Sequence, residues 1–155
     1  MNPTLPAHLV QWLAASSIPD IAEITDTFEL FDDWEDRYRY VIELGKGLGQ
    51  FEAEQRSDLY LVRGCQSQVW LQTWVDVDAA TLTIAIDSDA HIVRGLAAIL
   101  IASLSGQPLG QIQIADPESL FASLGLLGHL SPSRGNGLKA MIERIKSAAA
   151  AQESG

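Results

Sequence analysis

One thiol, three imidazoles and one unusually placed guanidinium are the side chains that could carry chemistry in these 155 residues. The thiol is Cys65, the only cysteine, within "VRGCQSQVWLQTW" at residues 62–74. A lone cysteine is ordinarily a small buried hydrophobe. Its neighbours here argue otherwise. Gly64 permits a positive φ, and Gln66, Ser67 and Gln68 seek hydrogen bonds. A loop built this way presents its residue instead of packing it. A presented thiol is a nucleophile or a sulfur carrier, because the thiolate is the reactive form. One thiol cannot resolve itself as an intramolecular disulfide, so CxxC redox chemistry is excluded. Nor can it supply the several cysteine ligands of a zinc or iron–sulfur site.

A cysteine hydrolase would need a base. His8 falls in the first segment of the chain, His91 in the first turn of an expected helix, and His129 just before another. Each reads more readily as a surface or cap-adjacent histidine than as a base. Arg134 is less ordinary. With Ser131 as N-cap and Pro132 opening a helix, it occupies the third helical position, where the macrodipole disfavours a cation. Two readings stand side by side. One is a solvated arginine. The other is a cation held by an anionic neighbour, either a carboxylate such as Asp87 or Asp89 or a sulfur anion at Cys65.

These residues need elements to position them. Residues 1–18 carry two prolines and little periodicity, and read as a flexible extension with a short helix around Leu9 to Leu13. Ile21, Ile24, Phe28 and Phe31 are spaced as one helix face capped by Asp20. Trp34, Tyr38, Val41, Leu44 and Leu48 mark a second helix, expected to pair antiparallel with the first. "LYLVR", "VWLQTWVDV" and "TLTIAID" read as three short strands, the last two joined as a hairpin. "AHIVRGLAAILIASLS" carries the broadest apolar stripe and is the expected central helix, capped by Ser88 or Asp89 and stopped by Gly106. Two short helices and a terminal helix from "PSRGNGLKAMIERIKSAAA" follow, with Leu138, Met141, Ile142 and Ile145 facing inward. The fold class is α+β, with a small antiparallel three-stranded sheet packed with helices.

Composition narrows the function classes. The net charge of −10 is concentrated early: residues 1–60 hold 4 basic and 12 acidic side chains, net −8, whereas residues 101–155 hold 4 of each. No Lys/Arg cluster exists to bind phosphate backbones, so nucleic acid is not an expected partner. An acidic half suits a basic protein partner, or simply a solvated surface. No run of about 18 apolar residues is present, and the N-terminus lacks a basic signal-like segment. A cytoplasmic protein without membrane contact is expected.

Taken together, "WEDRYRYVIELGKGL", "GCQSQVWL", "DSDAHIVRGLAAIL" and "LGLLGHLSPSRGNGLKAMIERI" resemble the SufE/CsdE sulfur-acceptor proteins in order and spacing, over about residues 20 to 148. "SQVW" favours the SufE side. The resemblance implies one domain over residues 19–150, with the fold of the U-type cluster scaffolds, preceded by an unmatched extension at 1–18. It implies an accessory protein that accepts persulfide sulfur from a cysteine desulfurase, stimulates that enzyme and delivers the sulfur to iron–sulfur cluster assembly. The family's acceptor cysteine maps onto Cys65, its acidic position beside the loop onto Asp89, and its terminal-helix arginine onto Arg134. Gly64 and Gln66 support the loop. The implied partners are a desulfurase of the SufS/CsdA kind, which uses PLP, and a recipient scaffold. The protein itself is expected to hold no cofactor or metal. The oligomeric state is open, a homodimer included. The sequence departs from the family in lacking a proline in "GQFEAEQRSDLYLVRG" and in carrying Tyr60 where asparagine is frequent.

A persulfide is easily reduced or oxidised, so the Cys65 loop is expected to have a tucked and an extended position. Two other functions compete with sulfur transfer: an iron–sulfur or metal scaffold, and a regulator that docks on a desulfurase without taking sulfur. A redox sensor is a third.

Overall fold

The computed structural model describes residues 5–64 and 66–154, without the side chains of 152–154. Its elements are α1 (Ala7–Ala15), α2 (Ile21–Glu29), α3 (Trp34–Lys46), β1 (Val69–Asp76), β2 (Thr81–Ser88), α4 (His91–Leu104), β3 (Gln107–Pro108), α5 (Leu109–Ile114), α6 (Pro117–Ser123) and α7 (Pro132–Ser154), with single 3-10 turns at Ala53–Gln55 and Leu127–His129. The architecture is α+β, with an antiparallel sheet in the order β1-β2-β3.

The helices begin where short polar side chains can satisfy free backbone N–H groups. Asp20 accepts from Glu23 N at 2.9 Å, Asp33 from Asp36 N at 2.9 Å, and Asp116 from Ser119 N at 3.2 Å. The Ser119 hydroxyl also donates to Asp116 and holds its carboxyl below the usual aspartate range. The cap of α4 differs from expectation. Ala90 is the N-cap residue, and the Ser88 hydroxyl accepts from Ala90 N at 3.2 Å from outside the helix.

β1 and β2 pair without a bulge from Val69↔Ser88 to Asp76↔Thr81. Alternation gives the sheet two faces. Val69, Leu71, Ile84 and Ile86 lie on the face that meets α4 and α7. Trp70 and Gln72 lie on the other, where Arg56 sits 5.3 Å above the Trp70 ring and His8 Nε2 of α1 is 2.8 Å from Gln72 Oε1. The third strand is Gln107–Pro108, not "LYLVR". Tyr60 N and Leu61 N are spent on turn bonds to Ser57 O and Asp58 O, which leaves Leu61 a single bridge to Trp70.

Two further differences concern packing. At 1–18, where a flexible extension is expected, the described residues carry α1, and its Leu9 and Trp12 are buried in the core. Their apolar area, and the edge-on contact of Trp12 with Phe51 at 6.4 Å, repay the ordering of a short helix. Helices α2 and α3 touch through Phe28 and Tyr40, whose rings meet at 5.3 Å. The closest partner of α3, however, is α4. A Cβ on Gly95 would fall 2.1 Å from Val41 O, and one on Gly45 2.7 Å from Gly95 N. The two backbones touch there because both positions lack a side chain.

α4 is the central helix, buried from Ile92 through Ile101. Among the described residues no helix is long and apolar enough to cross a membrane.

Candidate functional site

The site is built outward from a buried ion cluster. Asp87, fully buried at the end of β2, accepts from Phe51 N at 2.8 Å, Ser88 N at 2.8 Å and Arg56 at 3.0 Å, and forms a short contact with the Arg94 guanidinium of α4. Arg94 also donates to Leu48 O at 2.7 Å and Gly45 O at 3.3 Å. A buried carboxylate is tolerable only with this many donors. The cluster fixes the strand end from which the next two residues reach out.

Those two residues hold the root of the cysteine loop. The Ser88 hydroxyl donates to Gln68 O at 2.7 Å, Asp89 N donates to the same oxygen at 3.2 Å, and Gln68 N donates to Asp89 Oδ1 at 3.0 Å. On the incoming side, Val62 N donates to Val69 O at 2.8 Å. Between these two anchors run Arg63 to Ser67.

Cys65 and its two expected positions lie outside the described residues; its chain neighbours do not. Gly64 has φ +90°, the left-handed region that favours glycine, and an added Cβ would meet Ala140 of α7 at 4.0 Å. Gln66 and Ser67 line a cleft of about 300 Å³. Val93 and Leu96 of α4 and Leu138 and Met141 of α7 give it an apolar floor, and Ser131, Ser133 and Arg134 form its far rim.

Arg134 stands at the third position of α7, as its spacing predicts, with its N–H donating to the Ser131 hydroxyl at 3.3 Å. Neither Asp87 nor Asp89 is its ion-pair partner. Among the described residues the ion pairs involve Asp36, Glu43 and Asp87 only, and Arg134 is in none of them. The cation therefore adds to the positive end of the helix dipole and faces a cleft beside the cysteine loop. That arrangement favours an anion.

The structure thus brings Gln66 and Arg134 to one cleft, sets Gly64 beside Ala140 of α7, and places Asp89 at the root of the loop that borders the cleft. It leaves the histidines elsewhere. His129 stacks on Trp34 at 4.2 Å, His8 is on Gln72, His91 is exposed at the start of α4, and none lines the cleft. Among the described residues no group of three His, Cys, Asp or Glu could hold a metal ion. Sequence reading missed the Asp87–Arg94 pair and the Ser88 clamp. Arg94 did carry a signal, as a lone charge within the apolar run "IVRGLAAIL".

Residues 22–149 match the family model described as "SufE: Fe-S metabolism associated domain". A SufE-like protein of Rhizobium etli is 48% identical over 126 residues, covering 80% of this chain and 85% of its own. A SufE-like protein of Rhizobium meliloti is 50% identical over 129 residues, covering 82% and 92%. The solution structure of a hypothetical protein from Thermus thermophilus superposes with a TM-score of 0.69 at 18% identity, covering 90% of this chain and 100% of that one. That likeness concerns the fold.

Proposed function

The chain belongs to the SufE family, with a role in iron–sulfur metabolism, and on that basis we propose that Cys65 accepts sulfur from a cysteine desulfurase and hands it to a cluster-assembly scaffold. The observation that carries this reading is the cleft between Gln66 and Arg134. It borders the loop of the only cysteine and offers a cation that no carboxylate neutralises among the described residues.

The step is a thiol–disulfide exchange with one sulfur moved. The Cys65 thiolate attacks the outer sulfur of the desulfurase cysteine persulfide. A new S–S bond forms, the old one breaks, and the desulfurase thiolate leaves with the electron pair. The sulfur stays at the sulfane level, so no outside oxidant or reductant enters. Cys65 then carries the persulfide until a second acceptor thiolate attacks it in the same way. PLP does its work in the desulfurase before this step. Arg134 favours the anionic forms of the thiol and of the persulfide, and the apolar floor limits water around them.

The test is intact mass spectrometry after incubation with a cysteine desulfurase and cysteine. A gain of about 32 Da per sulfur, removed by reductant, is expected from the persulfide chemistry of a thiolate. An unchanged mass beside an active desulfurase overturns the reading.

Arg134 has its own test. Arg134→Ala is expected to keep the fold, because Ser131 and Pro132 still start α7. Losing the cation should move the midpoint of the Cys65 alkylation rate–pH curve upward, slowing alkylation near neutrality. Arg134→Lys keeps the charge and should restore most of the shift. Identical curves in wild type and Arg134→Ala would reduce Arg134 to a solvated residue.

A further inference from the structure

Among the described residues three buried side-chain polar atoms have no hydrogen-bond partner: Trp12 Nε1, Arg37 Nε and Gln55 Oε1. Trp12 and Gln55 line one cavity of about 160 Å³. His8, Trp12 and Ala15 recur along one side of α1 and form one wall, and Phe51 and Gln55, from the chain that follows α3, form another. Both residues are nearly closed to water, Trp12 at 4% exposure and Gln55 at 9%. The polar groups around them are satisfied. His8 Nε2 is 2.8 Å from Gln72 Oε1, the Ser16 hydroxyl donates to Trp12 O at 2.7 Å, and Gln55 N donates to Glu52 O at 3.0 Å. A buried polar atom without a partner is costly, and folded proteins keep few of them. Two of opposite kind on the walls of one cavity point to a ligand.

The two atoms define the chemistry of that ligand. An indole N–H only donates, and an amide oxygen only accepts. A group that satisfies both carries an acceptor and a donor. A carboxylate offers acceptors alone, and it is repelled by exposed Glu52 on the cavity lining and by the net −8 of residues 1–60. An ammonium offers donors alone. A carboxamide carries one of each and no charge. Leu9 and Phe51 add aliphatic and aromatic surface, which suits an apolar ring better than a cluster of waters.

We propose that this cavity binds a small neutral carboxamide. Its C=O accepts from Trp12 Nε1–H, its N–H donates to Gln55 Oε1, and its apolar part packs against Leu9 and Phe51. The Gln55 amide turns readily about its last torsion, so its oxygen can follow the ligand. The volume falls below the roughly 300–1,000 Å³ of drug-sized sites, so the occupant has about ten non-hydrogen atoms or fewer. The site is separate from the cleft beside the cysteine loop, since neither Gln66, Ser67 nor Arg134 lines it, and it is independent of the sulfur-transfer reading. Its α1 wall also precedes residues 22–149, which match the family model, so the cavity is not part of what that match describes.

Nuclear magnetic resonance of the nitrogen-labelled full chain tests it. Nicotinamide is the probe, and the Trp12 indole N–H, assigned through Trp12→Phe, is the reporter. In wild type that signal is expected to move saturably, with a Kd on the order of 1 mM for so small a ligand, while the indole signals of Trp34 and Trp74 stay in place. N,N-Dimethylnicotinamide keeps the C=O and has no amide N–H. Gln55→Met keeps the length of the side chain and removes the acceptor. Each change should weaken binding by about fivefold or more. Should Gln55→Met fail to fold, the two probes compared on wild type decide. A Trp12 signal that stays fixed up to about 50 mM nicotinamide overturns the proposal and leaves both atoms to water. So does equal binding of the two probes, or equal binding of nicotinamide by wild type and folded Gln55→Met.

Discussion

Cys65→Ser is expected to abolish desulfurase stimulation, returning sulfide or alanine production to the rate of the desulfurase alone. The serine hydroxyl is almost wholly protonated near neutrality, and no histidine lines the cleft to act as its base. An alkoxide would in any case leave sulfur on oxygen, a far poorer carrier than a persulfide. The substitution is nearly isosteric, on a loop whose anchors at Val62 and Gln68 do not involve the thiol, so the variant should fold and dock. It should then compete with wild type for the desulfurase. The assay also separates transfer from regulation. Full stimulation by folded Cys65→Ser would mean that docking alone activates the enzyme, through surface such as the acidic first half of the chain, where 12 of the 20 carboxylates lie in residues 1–60.

Arg94→Ala should be the most destabilising single change in the scaffold around the site, by about 3–5 kcal/mol, the usual cost of removing one partner from a buried ion pair. Asp87 would keep Arg56, Phe51 N and Ser88 N but lose its buried counter-charge. Gly45 O and Leu48 O would lose a donor as well. Arg56→Ala should cost much less, about 1 kcal/mol, because that side chain is 38% exposed and water screens the pair. Urea unfolding measures both, as a fall in midpoint at constant slope. A similar small loss in both variants would mean that Asp87 is held by its backbone donors and not by Arg94. Replacing Asp87 and Arg94 together by apolar residues of similar volume should recover much of the stability, since a buried pair as a whole contributes little.

Most of the helices were legible because the signals are local. Asp20, Asp33, Asp116 and Ser131 cap the helices that their positions announce. The hairpin was legible from alternation. What escaped was decided by distant partners. "LYLVR" has a strand's composition, yet Ser57 and Asp58 wind it into turns. Gln107–Pro108 is too short to announce itself and pairs through the flanking bonds of Gly106 N to Leu82 O at 2.6 Å and Leu109 N to Ala80 O at 2.9 Å. The close fit of α3 on α4 needs Gly45 and Gly95 to meet, 50 residues apart in the chain. At the site, the positive φ of Gly64 and the place of Arg134 in the first turn of α7 followed from the loop and the cap. The carboxylates weighed as one option for Arg134 are bonded elsewhere, because periodicity cannot show that Asp87 is claimed by Arg94 and Asp89 by Gln68.

The double anchoring of the cysteine loop also sets a length. Cys65 stands three residues from Val62 and three from Gln68, and Val62 is bonded to Val69 beside that second anchor. An extended chain gains at most about 3.3–3.6 Å per residue, so the Cα of Cys65 stays within roughly 10 Å of either anchor while both hold. On the sulfur-transfer proposal the thiol would work on a short leash, long enough to cross a partner's rim but not to explore a deep channel. A desulfurase whose cysteine lies farther down than that must open, or must break the Ser88 and Asp89 clamp on Gln68. On the sulfur-transfer proposal, depth thus becomes a gauge by which this protein would tell one desulfurase from another before any sulfur moves.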